Sequence, residues 1–388
     1  MNVTIQPGQL RGSVEVIPSK SQAHRLLICA AFADGVTTLI CPETNRDIEA
    51  TAECLRGLGA SILRTDHGYI VEPVKQLPEQ AVLNCHDSGS TLRFLLPVAG
   101  ALGVDTIFQM EGRLPQRPLS PMWEEMERMG CNLTRPTADT ILCTGKLRAG
   151  DYSIDGGISS QYITGLLFAT ALLGGNSTVT ITGKLESEPY VTMTRQALEL
   201  FHTPDFHTPG TIRVEGDWSG GAFWLAAKAL GSDLDVQGLD PNSPQGDRAA
   251  DHWLSCLQEH QTISGADIPD LVPILSVMAA ANQGAVFTDI RRLRLKESDR
   301  VASTIAMLEA LGGKAEATED TLTVYGTGLT GGTVDAVNDH RIAMSAAIAA
   351  TVCTQPVEIL GAQCVEKSYP QFWAEYARLG GTYEQHLR

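Results

Sequence analysis

The sequence holds no uninterrupted apolar run near the roughly 18 residues that a membrane-spanning helix needs, so no membrane partner is expected. Its opening, Met1-Asn2-Val3-Thr4-Ile5-Gln6-Pro7, offers no basic leader followed by an apolar stretch, and no secretory signal is read there. Nine scattered cysteines form no C-x-x-C pair and read as reduced core residues of a cytoplasmic protein. Nine histidines include no H-E-x-x-H or similar ligand spacing, so a dedicated metal site is not expected. The phosphate-loop pattern G-x-x-x-x-G-K-[ST] occurs nowhere. Cations are also scarce: 29 Lys and Arg stand against 45 Asp and Glu, for a net charge of −16. An acidic surface of that kind is unsuited to a diffuse polyanion, so nucleic acid is excluded as a partner.

What cations there are, however, are gathered. Five separated stretches set them beside small polar residues or carboxylates: Ser19-Lys20-Ser21 with Arg25, Asp87 to Arg93, Arg113 with Arg117-Pro118, Lys296 to Arg300, and Asn338-Asp339-His340-Arg341. In an anionic molecule this points to a focused pocket for small anions, where the local field outweighs net charge.

At 388 residues the chain exceeds a single core and suits two large α/β domains. One unit recurs: an amphipathic helix stops at glycine and a strand hairpin follows. Copies run from Cys54-Leu55-Arg56-Gly57-Leu58-Gly59 into Ser61–Leu63 and Tyr69–Val71, and from Met126-Glu127-Arg128-Met129-Gly130 into Asn132-Leu133 and Thr140–Leu142. A third runs from Leu308-Glu309-Ala310-Leu311-Gly312-Gly313 to Thr321–Val324. Glycine after the last turn takes the left-handed conformation at little cost and ends each helix. Between the copies lie helices apolar nearly all round, such as Thr91 to Leu102 and Tyr162 to Leu173, which reads as burial. Two further copies are shortened. Only His202 to Gly210 separates a helix from the strand Thr211–Val214, and only Gln258 to Gly265 separates another from an expected strand Ala266–Ile268.

Each polar stretch admits a plain reading beside the functional one. Ser19, the Asp87-to-Arg93 loop and the Ser159-Ser160-Gln161-Tyr162 step could be simple helix caps, or their free N–H groups could meet an anion. In the loop, Gly89 permits close approach of a ligand, and Ser90 and Thr91 offer donors. Arg117 fits a loop or a first helical turn. Lys296 and Arg300, if helical, share one face at i,i+4 spacing, either as a solvated ion-pair face or as part of a site. Asp270, framed by Pro269 and Pro273, is a paired functional carboxylate or a helix N-cap.

In this order the motifs S-K-S-x-x-x-R, S-S-Q-Y, S-x-P-Y, I-P-D, L-K-E-S-D-R and N-D-H-R-I-A-M resemble the 5-enolpyruvylshikimate-3-phosphate synthases, of the enolpyruvyl transferase family, from Lys20 to Lys367. The resemblance implies a two-domain inside-out α/β barrel. Each domain would hold three βαβαββ repeats around buried helices, with residues 19–215 in one and residues 1–18 and 216–388 in the other. It implies transfer of enolpyruvyl from phosphoenolpyruvate to the 5-hydroxyl of shikimate 3-phosphate by a monomer without cofactor. It also implies that Lys20, Arg117, Gln161, Arg300, Arg341, Lys367 and the Gly89 backbone surround phosphoenolpyruvate. Ser21 and Arg25 would take the shikimate carboxylate, and Ser159, Ser160, Ser187 and Lys296 its phosphate. Tyr190 would line that side and Asp270 would hold the ring hydroxyls. Asp270, Glu297 and Lys20 become the candidates for proton transfer. The chain departs from the family at Asp87 (commonly Asn), Ser90 (Thr), Phe94 (often Pro, with the adjacent loop reshaped) and Arg292 (often Asn). A sister family acting on UDP-linked amino sugars usually carries a Cys on a long loop, which Arg113 to Pro121 lacks. A non-catalytic anion binder is the other alternative, disfavoured by the intact Lys20, Asp270 and Glu297.

Overall fold

The computed structural model describes residues 1–386. It divides into two compact units, Pro18–Val214 and the pair of segments Met1–Ile17 and Glu215–Arg388. The first unit carries helices α1 (Lys20–Ala31), α2 (Arg46–Gly57), α3 (Gly89–Leu102), α4 (Met122–Arg128), α5 (Ser160–Leu173) and α6 (Glu188–Leu200). The second carries α7 (Trp218–Ala229), α8 (Ala250–Cys256), α9 (Val272–Ala281), α10 (Arg300–Ala310), α11 (His340–Ala349) and α12 (Phe372–Arg378).

Each unit builds two four-stranded sheets and one two-stranded sheet among the described residues. In the first unit, Thr37–Ile40 runs parallel to Thr211–Arg213 and antiparallel to Gly68–Glu72, which pairs with Ser61–Thr65. Asp105–Gln109 repeats this arrangement with Gln80–Asn84, Thr140–Gly145 and Cys131–Thr134. The third sheet stops at the parallel pair Asp151–Asp155 and Thr178–Thr182. The second unit follows the same plan. Its full sheets centre on Ala285–Thr288 and Val357–Leu360, and its short one pairs Arg11–Glu15 with Asp233–Gln237.

The two short sheets are the two shortened repeats. In the first unit the strand after residues 202–210 is Thr211–Arg213, as expected. In the second the expectation fails. The strand is Gln261–Ser264, where Ile263 is buried, and not Ala266–Ile268. The Ala266 carbonyl instead accepts a hydrogen bond from Arg292 Nη2 at 2.8 Å, which removes it from any ladder. The three complete copies do turn at glycines with positive φ: Gly59 at 105°, Gly130 at 120° and Gly312 at 83°.

The core of each unit is made by its most apolar helices. In α9 and α11 nearly every residue is buried, as it is in the central turns of α1, α3 and α7. Each fully buried Leu or Ile there contributes roughly 1.5–3 kcal/mol of transfer free energy. Packing thus anchors the helices from behind and fixes where their N-terminal residues stand. Eight of the nine cysteines are buried and all are unpaired thiols.

Candidate active site

Within the first unit the polar residues at the starts of α1, α3 and α5 are tied together. Ser19, Ser88 and Ser159 are caps in the plain sense, accepting from the backbone N–H of Gln22, Thr91 and Gln161. Beyond capping, Gln161 Nε2 donates to Ser90 Oγ at 2.9 Å, and Arg93 Nη1 donates to Gln161 Oε1 at 2.9 Å. A Cβ on Gly89 would lie 2.5 Å from Arg117 Nη1 and 2.7 Å from Arg93 Nη1, so only glycine admits both guanidinium groups there. Arg117 closes a short 3-10 turn over Leu114–Gln116 in extended conformation, not a first helical turn. Thr91 does not serve as a ligand donor. Its hydroxyl is buried among Ser88, Thr51 and the Asp47 carbonyl.

Lys20 Nζ sits 2.9 Å from Asp47 Oδ2, a buried carboxylate on α2. One turn on, His24 is buried with Nδ1 2.7 Å from Thr51 Oγ1, and burial pushes its imidazole down to about 3, leaving it neutral. Arg25 is buried against neutral acceptors: Nε donates to Thr194 Oγ1 at 2.9 Å, Nη2 to the Tyr190 carbonyl at 2.9 Å, and Nη1 to the Ser21 carbonyl at 2.5 Å. Desolvation lowers this guanidinium to about 10, a sign that its charge is poorly compensated. Phe94 is buried inside α3, with its ring 5.2 Å from the Arg25 guanidinium and edge-on to His24. Ser160 and Ser187 are buried, Ser187 in left-handed conformation ahead of α6, the helix that carries Tyr190.

The second unit holds a denser cluster around Arg300. This guanidinium is 1% exposed and is bound by three carboxylates. Nη1 donates to Asp270 Oδ1 at 2.7 Å, Nη2 to Glu297 Oε2 at 2.5 Å, and Nε to Asp339 Oδ2 at 3.0 Å. Burial alone would lower Arg300, but Asp339, Glu297 and Asp270 more than offset that and raise it. Arg341 Nη2 lies 3.5 Å from Asp270 Oδ2, and Lys296 Nζ lies 3.8 Å from Asp270 Oδ1. Burial would raise Asp270, yet Lys296, Arg341 and Arg300 together hold it far below the usual carboxylate range. Lys296 falls to about 8 through desolvation, which Asp270 only partly counters. Lys367 ends the 3-10 turn Ala362–Lys367, which packs on α11, the helix bearing Arg341.

Two sequence expectations fail here. Lys296 and Arg300 do not share a helical face, because Asp299 caps α10 and Arg300 is its first residue. Asp270 is no helix cap: the capping position of α9 is Leu271, and no side chain caps it. The carboxylates Asp47, Asp339 and Asp247 escaped sequence reasoning as site residues. Their side-chain partners Lys20, Arg300 and Ser219 lie 27 or more residues away, beyond any local pattern.

The sequence model of the family described as EPSP synthase (3-phosphoshikimate 1-carboxyvinyltransferase) matches residues 5–376. The chain belongs to the EPSP synthase family. A 3-phosphoshikimate 1-carboxyvinyltransferase of Clostridium kluyveri is 37% identical over 418 residues, covering 99% of this chain and 98% of the relative. One from Clostridium perfringens is 36% identical over 416 residues, covering 98% of each chain. Alignments longer than the 388 residues of this chain require gaps in it, in keeping with its shortened repeats. Among solved structures, EPSP synthase from Acinetobacter baumannii shares the α/β fold with a TM-score of 0.79 at 22% identity, covering all of both chains. As a member of that family, the protein transfers enolpyruvyl from phosphoenolpyruvate to shikimate 3-phosphate in aromatic biosynthesis.

Proposed function

We propose that the two clusters divide the work of this transfer as follows. Lys20, Arg117, Gln161, the Gly89 backbone, Arg300, Arg341 and Lys367 bind phosphoenolpyruvate. Ser21 and Arg25 take the shikimate carboxylate, and Ser159, Ser160, Ser187 and Lys296 take its phosphate. Tyr190 lines the ring, and Asp270 holds the ring hydroxyls. Each phosphate brings about −1.5 to −2 charge near neutral pH, so fixed cations are what such a pair of ligands demands. The poorly compensated charge of Arg25, ringed by neutral acceptors, supports a role in receiving a carboxylate.

The observation that carries the chemistry is the pairing of Asp270 and Glu297 with Arg300. A phosphoenolpyruvate carboxylate approaching Arg300 and Arg341 competes with both side chains. Once the cations are shared with substrate anions, Asp270 and Glu297 become more basic. Asp270 then takes the 5-hydroxyl proton as that oxygen adds to C2 of phosphoenolpyruvate, while C3 gains a proton. In the second step the C2–phosphate bond breaks and C3 gives its proton up, restoring the double bond. Glu297 and Lys20 carry the proton traffic at C3. The reaction requires neither metal nor organic cofactor.

The same reading makes the fold a two-domain inside-out α/β barrel with three βαβαββ repeats in each domain, and the enzyme a cytoplasmic monomer that binds neither nucleic acid nor membrane. Among the described residues no helix is long and apolar enough to cross a membrane.

Steady-state kinetics separates these roles. Asp270→Asn should lower kcat by roughly 10²–10⁴, the usual contribution of a positioned base, with a much smaller change in shikimate 3-phosphate affinity. Arg117→Ala should raise the phosphoenolpyruvate KM by roughly 10- to 100-fold, the loss of one charge-assisted bond. A near-normal kcat for Asp270→Asn overturns the base assignment.

A further inference from the structure

Asp247 lies in the turn Gly246–Ala249, ahead of α8, and is 1% exposed. Its Oδ2 accepts a short hydrogen bond from Ser219 Oγ on α7, and its Oδ1 is buried with no hydrogen-bond partner. The backbone carbonyl of the same Ser219 accepts from Arg341 Nη1 at 3.3 Å, on the side of that guanidinium not taken by Asp270. One arginine is thus linked to two carboxyl groups, directly to Asp270 and through Ser219 to Asp247. A buried carboxylate oxygen without a donor is costly, and two like charges sharing one cation repel. Asp270 has Lys296 and Arg300 as additional cations, so it keeps the charge. Asp247 has no such support.

We propose that Asp247 is a positioning residue of the transfer site, the protonated partner of Asp270, which sets Arg341 through Ser219 and leaves that guanidinium's charge for the phosphoenolpyruvate carboxylate. The inference rests on the functional reading above, which gives Arg341 to phosphoenolpyruvate. The electrostatics agree: burial and then the Asp270 charge push Asp247 up to about 7, against the pull of Arg341 and Ser219. Asp217, the capping residue of α7, adds a further acidic neighbour. Of the titratable residues of α8, Asp251 and His252 are exposed and Cys256 is half-buried; Arg248 of the turn itself is exposed. Above neutrality Asp247 ionises, competes for Arg341 and weakens the claim of the incoming anion. By linkage, phosphoenolpyruvate binding favours proton uptake at Asp247.

The test compares the parent enzyme with Asp247→Asn, whose amide imitates the neutral acid. With shikimate 3-phosphate saturating, the parent kcat/KM for phosphoenolpyruvate should fall as pH rises past about 7. Relative to the variant it should lose at least roughly fivefold between about pH 6 and pH 9, the low end of site-to-site coupling. Titration of the substrates is common to both proteins and cancels in this ratio. Parallel pH curves overturn the proposal while leaving the functional reading intact. A parent that releases no phosphate from this substrate pair fails the functional reading itself.

Melting temperatures decide the matter should the variant turn over too slowly to measure. The folded-state pKa of Asp247 is raised, so the unfolded chain ionises first. The stability this residue allows is then lost as pH rises from about 4 to about 7. The melting temperature of Asp247→Asn minus that of the parent should grow across this range and level off above it. A difference that is constant with pH contradicts the proposal.

Discussion

Arg300 Nη1 donates to Asp270 Oδ1 at 2.7 Å while Nη2 of the same guanidinium donates to Glu297 Oε2 at 2.5 Å. One buried cation thereby restrains both carboxylates to which proton transfer is assigned. Under the proposed assignment binding and chemistry are coupled through that cation, because an anion that engages Arg300 would loosen its grip on both carboxylates.

Arg300→Met should be severely destabilising. Asp270, Glu297 and Asp339 would lose their shared cation, and removing one partner of a buried ion pair typically costs about 3–5 kcal/mol. Chemical denaturation measures this directly. A loss below about 1 kcal/mol, the value of an exposed pair, would show that the cluster contributes little to stability. The parent should also be acid-sensitive. The depressed pKa of folded Asp270 supplies stability that is present above about pH 4 and lost as pH falls below it, since the unfolded chain takes up the proton first.

Lys296 makes substrate binding depend on pH in the alkaline direction. Desolvation brings it to about 8, so it is cationic below that pH and neutral above. If it holds the phosphate of shikimate 3-phosphate, kcat/KM for that substrate should decline as pH rises through about 8. Lys296→Arg should remove the decline, because arginine stays protonated. An unchanged profile in the arginine variant would withdraw Lys296 from the phosphate site.

The two short sheets bear on assembly. Among the described residues Thr178–Thr182 and Asp233–Gln237 lack the antiparallel partner that Thr37–Ile40, Asp105–Gln109, Ala285–Thr288 and Val357–Leu360 each have. Both strands are five residues long, and one carries Asp233 and Asp235 outward, which discourages edge pairing. Sedimentation should therefore report a monomer at micromolar concentration. A stable dimer would mean that a second copy replaces the missing hairpins.

Much of this organisation is legible in the sequence, for local reasons. Helix, glycine stop and hairpin lie within about 25 residues of one another, and both shortened repeats announce themselves by intervals too brief for a hairpin. The cationic half of the site is legible too, since Lys20, Arg117, Arg300 and Arg341 each sit beside turn or cap signals. Of its acidic half only Asp270 and Glu297 are legible. Asp47 meets Lys20 across 27 residues and Asp339 meets Arg300 across 39, so only the tertiary packing of helix starts reveals them. The false strand at Ala266–Ile268 and the false helical face at Lys296–Arg300 have one cause. Side chains there take the backbone or cap positions that local propensity would give to regular structure. The contact of Phe94 with Arg25 is likewise visible only in the fold, since 69 residues separate the two.

Phosphate release from phosphoenolpyruvate, followed with and without shikimate 3-phosphate and with a UDP-linked amino sugar in its place, tests the central claim most directly. The account predicts turnover only when shikimate 3-phosphate is the acceptor, with loss of that turnover in Asp270→Asn. Turnover with the UDP-linked sugar but not with shikimate 3-phosphate, or none with either acceptor, would contradict it.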